Sequence, residues 1–288
     1  MTNKLRDLVG PSRLASVMSA HNPLSARLAE LAGFDGIWAS GFELSAAYGV
    51  PDASLLSFSQ HLDMTRAIVD RVSIPVIADL DTGYGNAVNV MHVVGAYARV
   101  GVAAVVIEDK TFPKDTSLLA GGRQDLVRIE EFQGKIAAAR AAGNEHDLVV
   151  VARTEALIAD LGLEEALKRA QAYGEAGADM ILVHSKRKTP DEIIGFTRRW
   201  PKETRLVIVP TAYPDLTEPK IRELGKIGMV IYGNHAIRAA VTAMRQVFAD
   251  IRADRGIHNI DKRIVSVEEI FELQRVPDMK QAEKEYLR

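Results

Sequence analysis

The sequence predicts an α/β fold, a (β/α)8 barrel of the TIM type. Eight short apolar runs rich in β-branched residues recur along the 288 residues, and a longer segment with helical apolar spacing follows each run. Most of the runs are apolar throughout, as in parallel strands that are covered on both faces. Eight such units fill a closed barrel without remainder, which favours a barrel over an open doubly wound sheet.

The elements alternate regularly from residue 14 to residue 253. Strands are predicted at 14–20, 34–40, 74–81, 103–109, 148–154, 179–185, 205–211 and 229–234. Helices are predicted at 23–32, 61–71, 87–100, 127–142, 163–176, 190–199, 218–225 and 235–253. A weak repeat places a glycine between helix and strand in four units, so these glycines are expected to end helices. They are Gly33, Gly101, Gly177 and Gly228.

Two regions are expected from this pattern. Residues 1–256 form the barrel, which carries the catalytic site, and residues 257–288 form a helical tail. The tail contains two helical segments, IVSVEEIFELQRV and DMKQAEKEYL, beyond the eighth unit. We expect it to pack on the barrel or on a partner subunit, which makes a homo-oligomer the expected assembly.

Composition excludes several classes of function. The chain has 36 Lys and Arg against 38 Asp and Glu, a formal charge of −2, so no basic excess indicates nucleic-acid binding. No apolar run approaches the roughly 20 residues of a membrane span, and the N-terminus does not resemble a signal peptide. A cytoplasmic protein is expected. With no cysteine, disulfides, thiolate metal sites and cysteine nucleophiles are excluded.

Three carboxylates follow two neighbouring predicted strands. Alternation places Asp79 and Asp81 on one side of the third strand, and Glu108 ends the fourth strand at the same height. Such carboxylates repel one another unless a cation lies among them, and hard oxygen ligands favour Mg2+ or Mn2+. The alternative is that they cap helices or pair with Lys110 and Arg153.

Arg153 and His184 end two consecutive strands. Arginine suits carboxylate or phosphoryl oxygens, and histidine can donate a hydrogen bond or carry a proton. Beside a divalent cation, this pair predicts an anionic substrate. A purely structural histidine remains the alternative for His184.

The connection 110–122, KTFPKDTSLLAGG, is long for a loop between strand and helix. It contains Lys114, Thr116 and Ser117. Loops of this length often close over a site and bind ligands, so we expect a lid here. An ordinary surface loop is the alternative.

Several ordered motifs together identify the chain as resembling the phosphoenolpyruvate mutase/isocitrate lyase superfamily over almost its whole length. They are IWASGFELSAAYGVPD (37–52), ADLDTGYGN (78–86), IEDKTFPKDTS (107–117), VARTEALIAD (151–160), ILVHSK (181–186) and YGNHAIRAAV (232–241). The resemblance implies a barrel whose last helix is exchanged between subunits, in dimers or tetramers of dimers. It also implies Mg2+, for which Mn2+ or another divalent metal can substitute, and enolate chemistry on 2-oxo acids.

The resemblance also implies roles for individual residues. Asp79 would be the main metal ligand, with Asp81 and Glu108 acting through bound water. The backbone of Ser40, Gly41 and Phe42 would receive the substrate carboxylate, with Trp38 beside it and Asp52 at the substrate edge. Arg153 and His184 would hold the transferring oxygens, and Lys114, Thr116 and Ser117 would come from the mobile loop.

The loop sequence separates the branches of the superfamily. Carbon–carbon lyases carry a loop cysteine that this chain lacks, and mutases read KTNS where this chain reads Lys114-Asp115-Thr116-Ser117. Threonine in place of asparagine resembles the branch that hydrolyses the carbon–phosphorus bond of phosphonopyruvate to pyruvate and phosphate. That hydrolysis is the expected activity. The alternatives are mutase activity, cleavage of oxaloacetate or an acylpyruvate, and non-catalytic binding of small oxo acids.

Overall fold

The computed structural model describes residues 4–287, in which eight parallel strands form a closed barrel in the order β1 to β8. The strands are β1 (Ala15–Ala20), β2 (Gly36–Ala39), β3 (Val76–Asp79), β4 (Ala104–Glu108), β5 (Val149–Thr154), β6 (Met180–Val183), β7 (Arg205–Ile208) and β8 (Ile227–Tyr232). The barrel closes where β1 pairs with β8, with Ala15 opposite Met229. The predicted (β/α)8 fold is confirmed.

The α-helices occupy the predicted intervals, and within residues 4–287 there are two further short α-helices. The helices are α1 (Lys4–Leu8), α2 (Pro23–Leu31), α3 (Gly41–Ala47), α4 (Phe58–Val69), α5 (Ala87–Val100), α6 (Ile129–Gly143), α7 (Gly162–Glu175), α8 (Asp191–Arg199), α9 (Glu218–Glu223), α10 (His235–Asp254), α11 (Val267–Leu273) and α12 (Val276–Tyr286). Helices α1 and α3 are the additions. Both are too short to show apolar periodicity in a sequence window. No helix within residues 4–287 is long and apolar enough to cross a lipid bilayer.

Side chains from the strands fill the barrel interior. Val17, Val106 and Leu182 belong to one buried cluster inside the barrel, and Leu5 of α1 joins that cluster with no exposed surface. Arg6 of α1 binds Asp147 and Asp179, which lie just before β5 and β6, so α1 covers the end of the barrel at which the strands begin. The opposite end, where the strands finish, is left for polar side chains, as in other barrels of this type.

One of the four predictions of a helix-ending glycine, that for Gly228, is wrong. Gly33, Gly101 and Gly177 have positive φ angles of 87°, 93° and 106°, as glycines that end helices do. Gly228 lies inside β8, and the glycine with positive φ after α9 is Gly225, at 72°. The segment ELGKIG contains two glycines, and the earlier one ends the helix.

The chain forms two compact units, which divide between residues 236 and 237. The first unit contains the barrel, and the second contains most of α10 together with α11 and α12. In the second unit, Arg263 binds Asp250 at 2.6 Å, and Ile260 is buried. The domain boundary at residue 256 stays a prediction.

Candidate active site

A cavity of about 380 Å³ opens at the end of the barrel where the strands finish. Most of the residues predicted from sequence line it: Trp38, Ser40, Phe42, Asp52, Asp79, Lys114, Thr116, Ser117, Arg153 and His184. Of the remaining predicted residues, Gly41, Asp81 and Glu108 do not line the cavity but contact residues that do. The fold therefore brings the whole predicted set to one place.

The ammonium of Lys114 lies among the predicted metal carboxylates. Lys114 Nζ is 2.6 Å from Asp81 Oδ1, 3.1 Å from Asp52 Oδ1 and 3.9 Å from Glu108 Oε1. The other oxygen of Glu108 is 3.2 Å from Arg153 Nε. Lys114 and Arg153 thus neutralise only part of the negative charge of the buried carboxylates. The alternative pairing of these carboxylates with Arg153 is present for Glu108.

Burial shifts the pKa values of this group. It raises the pKa of Asp79, and it raises that of Asp81 to about 7 although Lys114 opposes the shift. Burial alone would lower the pKa of Lys114, but Asp81, Asp52 and Glu108 hold it well above its usual value. The carboxylates are therefore short of positive charge, which is the condition under which a cation binds.

The donor set fits a hard divalent ion that keeps several waters. Asp79 reaches the cavity and accepts the N–H of Gly41 at 3.1 Å through Oδ2. Asp81 Oδ1 and both carboxylate oxygens of Glu108 are buried, and their contacts with Lys114 and Arg153 are ion pairs without hydrogen-bond geometry. Within residues 4–287, no three carboxylate or imidazole side chains lie close enough to ligate one ion directly. Few direct ligands completed by water is the usual coordination of Mg2+ in proteins.

Arg153 is held by a carboxylate that the sequence did not indicate as a site residue. Its Nε donates to Glu155 Oε1 at 2.6 Å, and its Nη2 lies 3.0 Å from His184 Nδ1. That ring nitrogen is also 3.1 Å from Glu155 Oε1. A single nitrogen cannot serve both contacts in one tautomer, so His184 either accepts from Arg153 or donates to Glu155.

The charges around Glu155 shift two pKa values. Burial alone would raise the pKa of Glu155, but Arg153, His184 and Lys110 together hold it well below its usual range. Burial lowers the pKa of His184, with Glu155 opposing that shift and Arg153 adding to it. At neutral pH the structure therefore favours an anionic Glu155 beside a neutral His184.

The predicted loop is anchored to the barrel by its polar residues. Thr116 Oγ1 donates to the backbone oxygen of Asp52 at 2.9 Å, and Ser117 Oγ donates to Glu155 Oε2 at 2.5 Å. Ser117 Oγ also accepts from Arg153 Nη2 and from Lys110 Nζ, each at 3.0 Å. The loop is thus fixed to the barrel and lines the cavity, and a role as a lid stays a prediction.

Sequence reasoning missed two kinds of residue. Glu155 and Lys110 lack direct access to the cavity, but alternation along β5 puts Glu155 on the same side as Arg153, a signal that was present. Further lining residues carry little chemical signal of their own: Leu118, Leu119, Val209, Thr211, Gly233 and Asn234. Only the barrel geometry brings the ends of β7 and β8 to the same cavity as the loop.

Comparison with known proteins identifies the family. Residues 5–252 match the family model of phosphoenolpyruvate phosphomutase. The chain belongs to this family. The matched residues contain all eight strands of the barrel and its carboxylate-rich end. The resemblance that the motifs indicate is confirmed.

Relatives within the family are similar over their full lengths. The chain is 63% identical over 284 residues to phosphonopyruvate hydrolase of Variovorax sp. (strain Pal2), covering 99% of this chain and 98% of that protein. It is 44% identical over 286 residues to phosphoenolpyruvate phosphomutase of Tetrahymena pyriformis, covering 99% and 95%. A crystal structure of phosphonopyruvate hydrolase with oxalate and Mg2+ matches with a TM-score of 0.95 and 60% identity over all of both chains.

Proposed function

We propose that this chain is a Mg2+-dependent phosphonopyruvate hydrolase, which cleaves the carbon–phosphorus bond of phosphonopyruvate to give pyruvate and phosphate. The observation that carries the proposal is the 63% identity to a phosphonopyruvate hydrolase over the full chain, against 44% to a phosphoenolpyruvate phosphomutase. The site supports it, because Thr116 stands at the loop position that distinguishes the two activities and its side chain lines the cavity.

The proposed site divides the anionic substrate between two groups of residues. Trp38 and the start of α3 at Ser40–Phe42 would receive the carboxylate end, and Arg153 and His184, which line the cavity, would hold the reacting oxygens. Arg153 is always charged, so it favours the enolate and phosphoryl charges that develop as the bond breaks. In a loose phosphoryl transfer, positioning and charge account for most of the rate acceleration, and both are supplied by buried side chains here.

Asp79 would hold Mg2+, with Asp81 and Glu108 binding through water. When bound, the ion supplies positive charge that stabilises the enolate oxygen of the leaving pyruvate. Lys114 contacts Asp52 and Asp81, so its positive charge reduces the repulsion among the carboxylates. From that position, with Asp52, it lies at the edge of the substrate cavity.

Release of phosphate and pyruvate from phosphonopyruvate tests the proposal. With Mg2+, both products are expected in equal amounts, and EDTA should abolish their release until Mg2+ is restored. An enzyme that makes phosphoenolpyruvate without free phosphate would instead be a mutase. Turnover of oxaloacetate alone would indicate the oxo-acid-cleaving alternative, and activity that persists in EDTA would overturn the metal assignment.

Thr116 offers a test of how water reaches the phosphoryl group. Its hydroxyl proton is used on the Asp52 backbone oxygen, which leaves oxygen lone pairs that can accept from a water molecule. Thr116→Asn replaces that hydroxyl with a larger amide and is expected to lower phosphate release at least about tenfold. Thr116→Ser keeps the hydroxyl and serves as the matched control. Unchanged hydrolysis in Thr116→Asn would count against this role.

We also propose a homo-oligomer, supported by apolar side chains that face solvent. Leu24, Leu28 and Leu31 form one exposed row on α2, and Met244 and Phe248 are exposed one turn apart on α10. Phe248→Glu is expected to lower the mass measured by light scattering, whereas Val88→Glu, at an exposed residue of α5, should not. A wild-type monomer would contradict the proposal.

A cytoplasmic location stays a prediction from the sequence.

A further inference from the structure

The carboxylate of Glu155 has no exposed surface and does not line the cavity. It nevertheless contacts two residues that line the cavity, Arg153 and Ser117. Oε1 accepts from Arg153 Nε at 2.6 Å, and Oε2 accepts from Ser117 Oγ at 2.5 Å. Lys110 Nζ lies 3.5 Å from Glu155 Oε2 and supplies further positive charge. Glu155 therefore contacts both the strand end and the loop from behind the cavity.

Glu155 is itself fixed by a second buried carboxylate. Its backbone N–H donates to Asp109 Oδ1 at 2.8 Å. Asp109 Oδ2 accepts from Tyr173 Oη at 2.7 Å and from Arg169 Nη1 at 3.1 Å, and both donors come from α7. Thr154 Oγ1 reaches the same oxygen at 3.3 Å. The helix layer outside the barrel thus fixes the backbone that carries Glu155.

We propose that Glu155 is a positioning residue, which acts on the substrate through Arg153 by fixing the plane and direction of the guanidinium. This inference rests on the proposed function and names a further residue of the same site. An arginine side chain has many rotamers, and its planar fork stabilises charge only when it is correctly aimed. Glu155 restrains Nε, and the terminal nitrogen Nη2 contacts Ser117 Oγ and His184 Nδ1, which belong to residues that line the cavity.

A double-mutant cycle tests whether Glu155 acts through Arg153. Arg153→Lys, Glu155→Gln and the double variant are compared by kcat/KM for phosphate release from phosphonopyruvate with Mg2+. Glu155→Gln alone is expected to lose about 100-fold, because it keeps the side-chain size but loosens Arg153. The double variant should lose at least about fivefold less than the product of the single losses. If the loss in the double variant equals the product of the two single losses, the inference is wrong.

Two further variants separate positioning from general destabilisation. Asp179→Asn removes a carboxylate that also binds two arginines, but at the other end of the barrel. It should lower the melting temperature and leave kcat/KM within about twofold, and its effect should multiply with that of Arg153→Lys. Glu155→Asp keeps the buried charge and so protects folding. Because it is one methylene shorter, it should recover part of the activity lost in Glu155→Gln, and full recovery or none would count against positioning.

Oxalate binding distinguishes failure of this inference from failure of the proposed function. The same cycle is measured by calorimetry with oxalate and Mg2+, which requires no turnover. If the wild-type protein releases no phosphate, the proposed hydrolysis is wrong, and the oxalate cycle still decides whether Glu155 acts through Arg153. Independent effects of the two substitutions on the oxalate Kd, or no oxalate binding by the wild-type protein, would overturn the inference.

Discussion

The two ends of the barrel both carry arginine–carboxylate clusters, but they use them differently. Where the strands begin, Asp179 accepts from Arg6 at 3.0 Å, from Arg140 at 2.8 Å and from the N–H of Val150 at 2.8 Å. The arginine side chains there are about one-third exposed, at 35% and 36%. Where the strands finish, Arg153 and Glu155 are buried beside the cavity.

The difference lies in the balance of charge. At the first end, Asp179 has two arginines and a backbone N–H for its two oxygens, so the cluster is satisfied by the protein alone. At the second end, Asp52, Asp79, Asp81 and Glu108 share Lys114 and Arg153, and burial raises the pKa of Asp81 to about 7. The first cluster stabilises the fold, whereas the second keeps a surplus of buried negative charge, which favours the binding of a cation.

The largest expected effect separates the two ends by activity. Arg153→Lys keeps the charge but loses the fork that Glu155 aims, so kcat/KM for phosphate release should fall by about 100- to 1,000-fold. Arg6→Lys makes the same exchange at the other end. It should leave kcat/KM within about twofold and lower only the melting temperature. Similar losses of activity in both variants would remove the distinction drawn here.

Proton competition should appear at the carboxylate-rich end as pH-dependent metal binding. Asp81 must be ionised to help hold Mg2+, and burial raises its pKa to about 7. Calorimetric titrations with Mg2+ should therefore show affinity falling by about tenfold per unit as the pH drops below 7. An affinity that is constant from pH 5 to pH 8 would show that the Asp81 carboxylate takes no part.

The smallest effect is a difference in the sign of stability changes. Because the folded pKa of Asp81 is raised from 3.8 to about 7, its contribution to stability is fully present below the unfolded value and is lost as pH rises through 7. Because burial disfavours the ionised form of Asp81, Asp81→Asn at pH 8 without metal should raise the free energy of unfolding by about 1 kcal/mol or more. Asp179→Asn should lower it by about 1–3 kcal/mol. Urea titration of both variants checks the signs, and equal signs would contradict the comparison.

The sequence was most informative about the barrel. Apolar runs such as 148–154 and the polar residues that end them predict that Asp79, Arg153 and His184 lie at one end of the barrel. Their convergence follows from parallel strands alone. The helix-ending role of Gly228 failed because ELGKIG offers two glycines, and local sequence does not decide between them.

The contacts behind the cavity could not be predicted in the same way. Glu155 was visible beside Arg153 in the sequence, but its contact with Ser117 depends on how the loop 110–122 folds back. The position of Lys114 among the carboxylates also depends on that loop. Loop conformation is set by many weak contacts, so no periodic pattern records it.

Phosphorus NMR of the wild-type protein with phosphonopyruvate and Mg2+ follows the fate of the carbon–phosphorus bond directly. The account predicts that the phosphonate signal is replaced by inorganic phosphate, that no phosphoenolpyruvate accumulates, and that EDTA stops the change. A phosphoenolpyruvate signal in place of inorganic phosphate, or a phosphonate signal that persists with Mg2+ present, would contradict it.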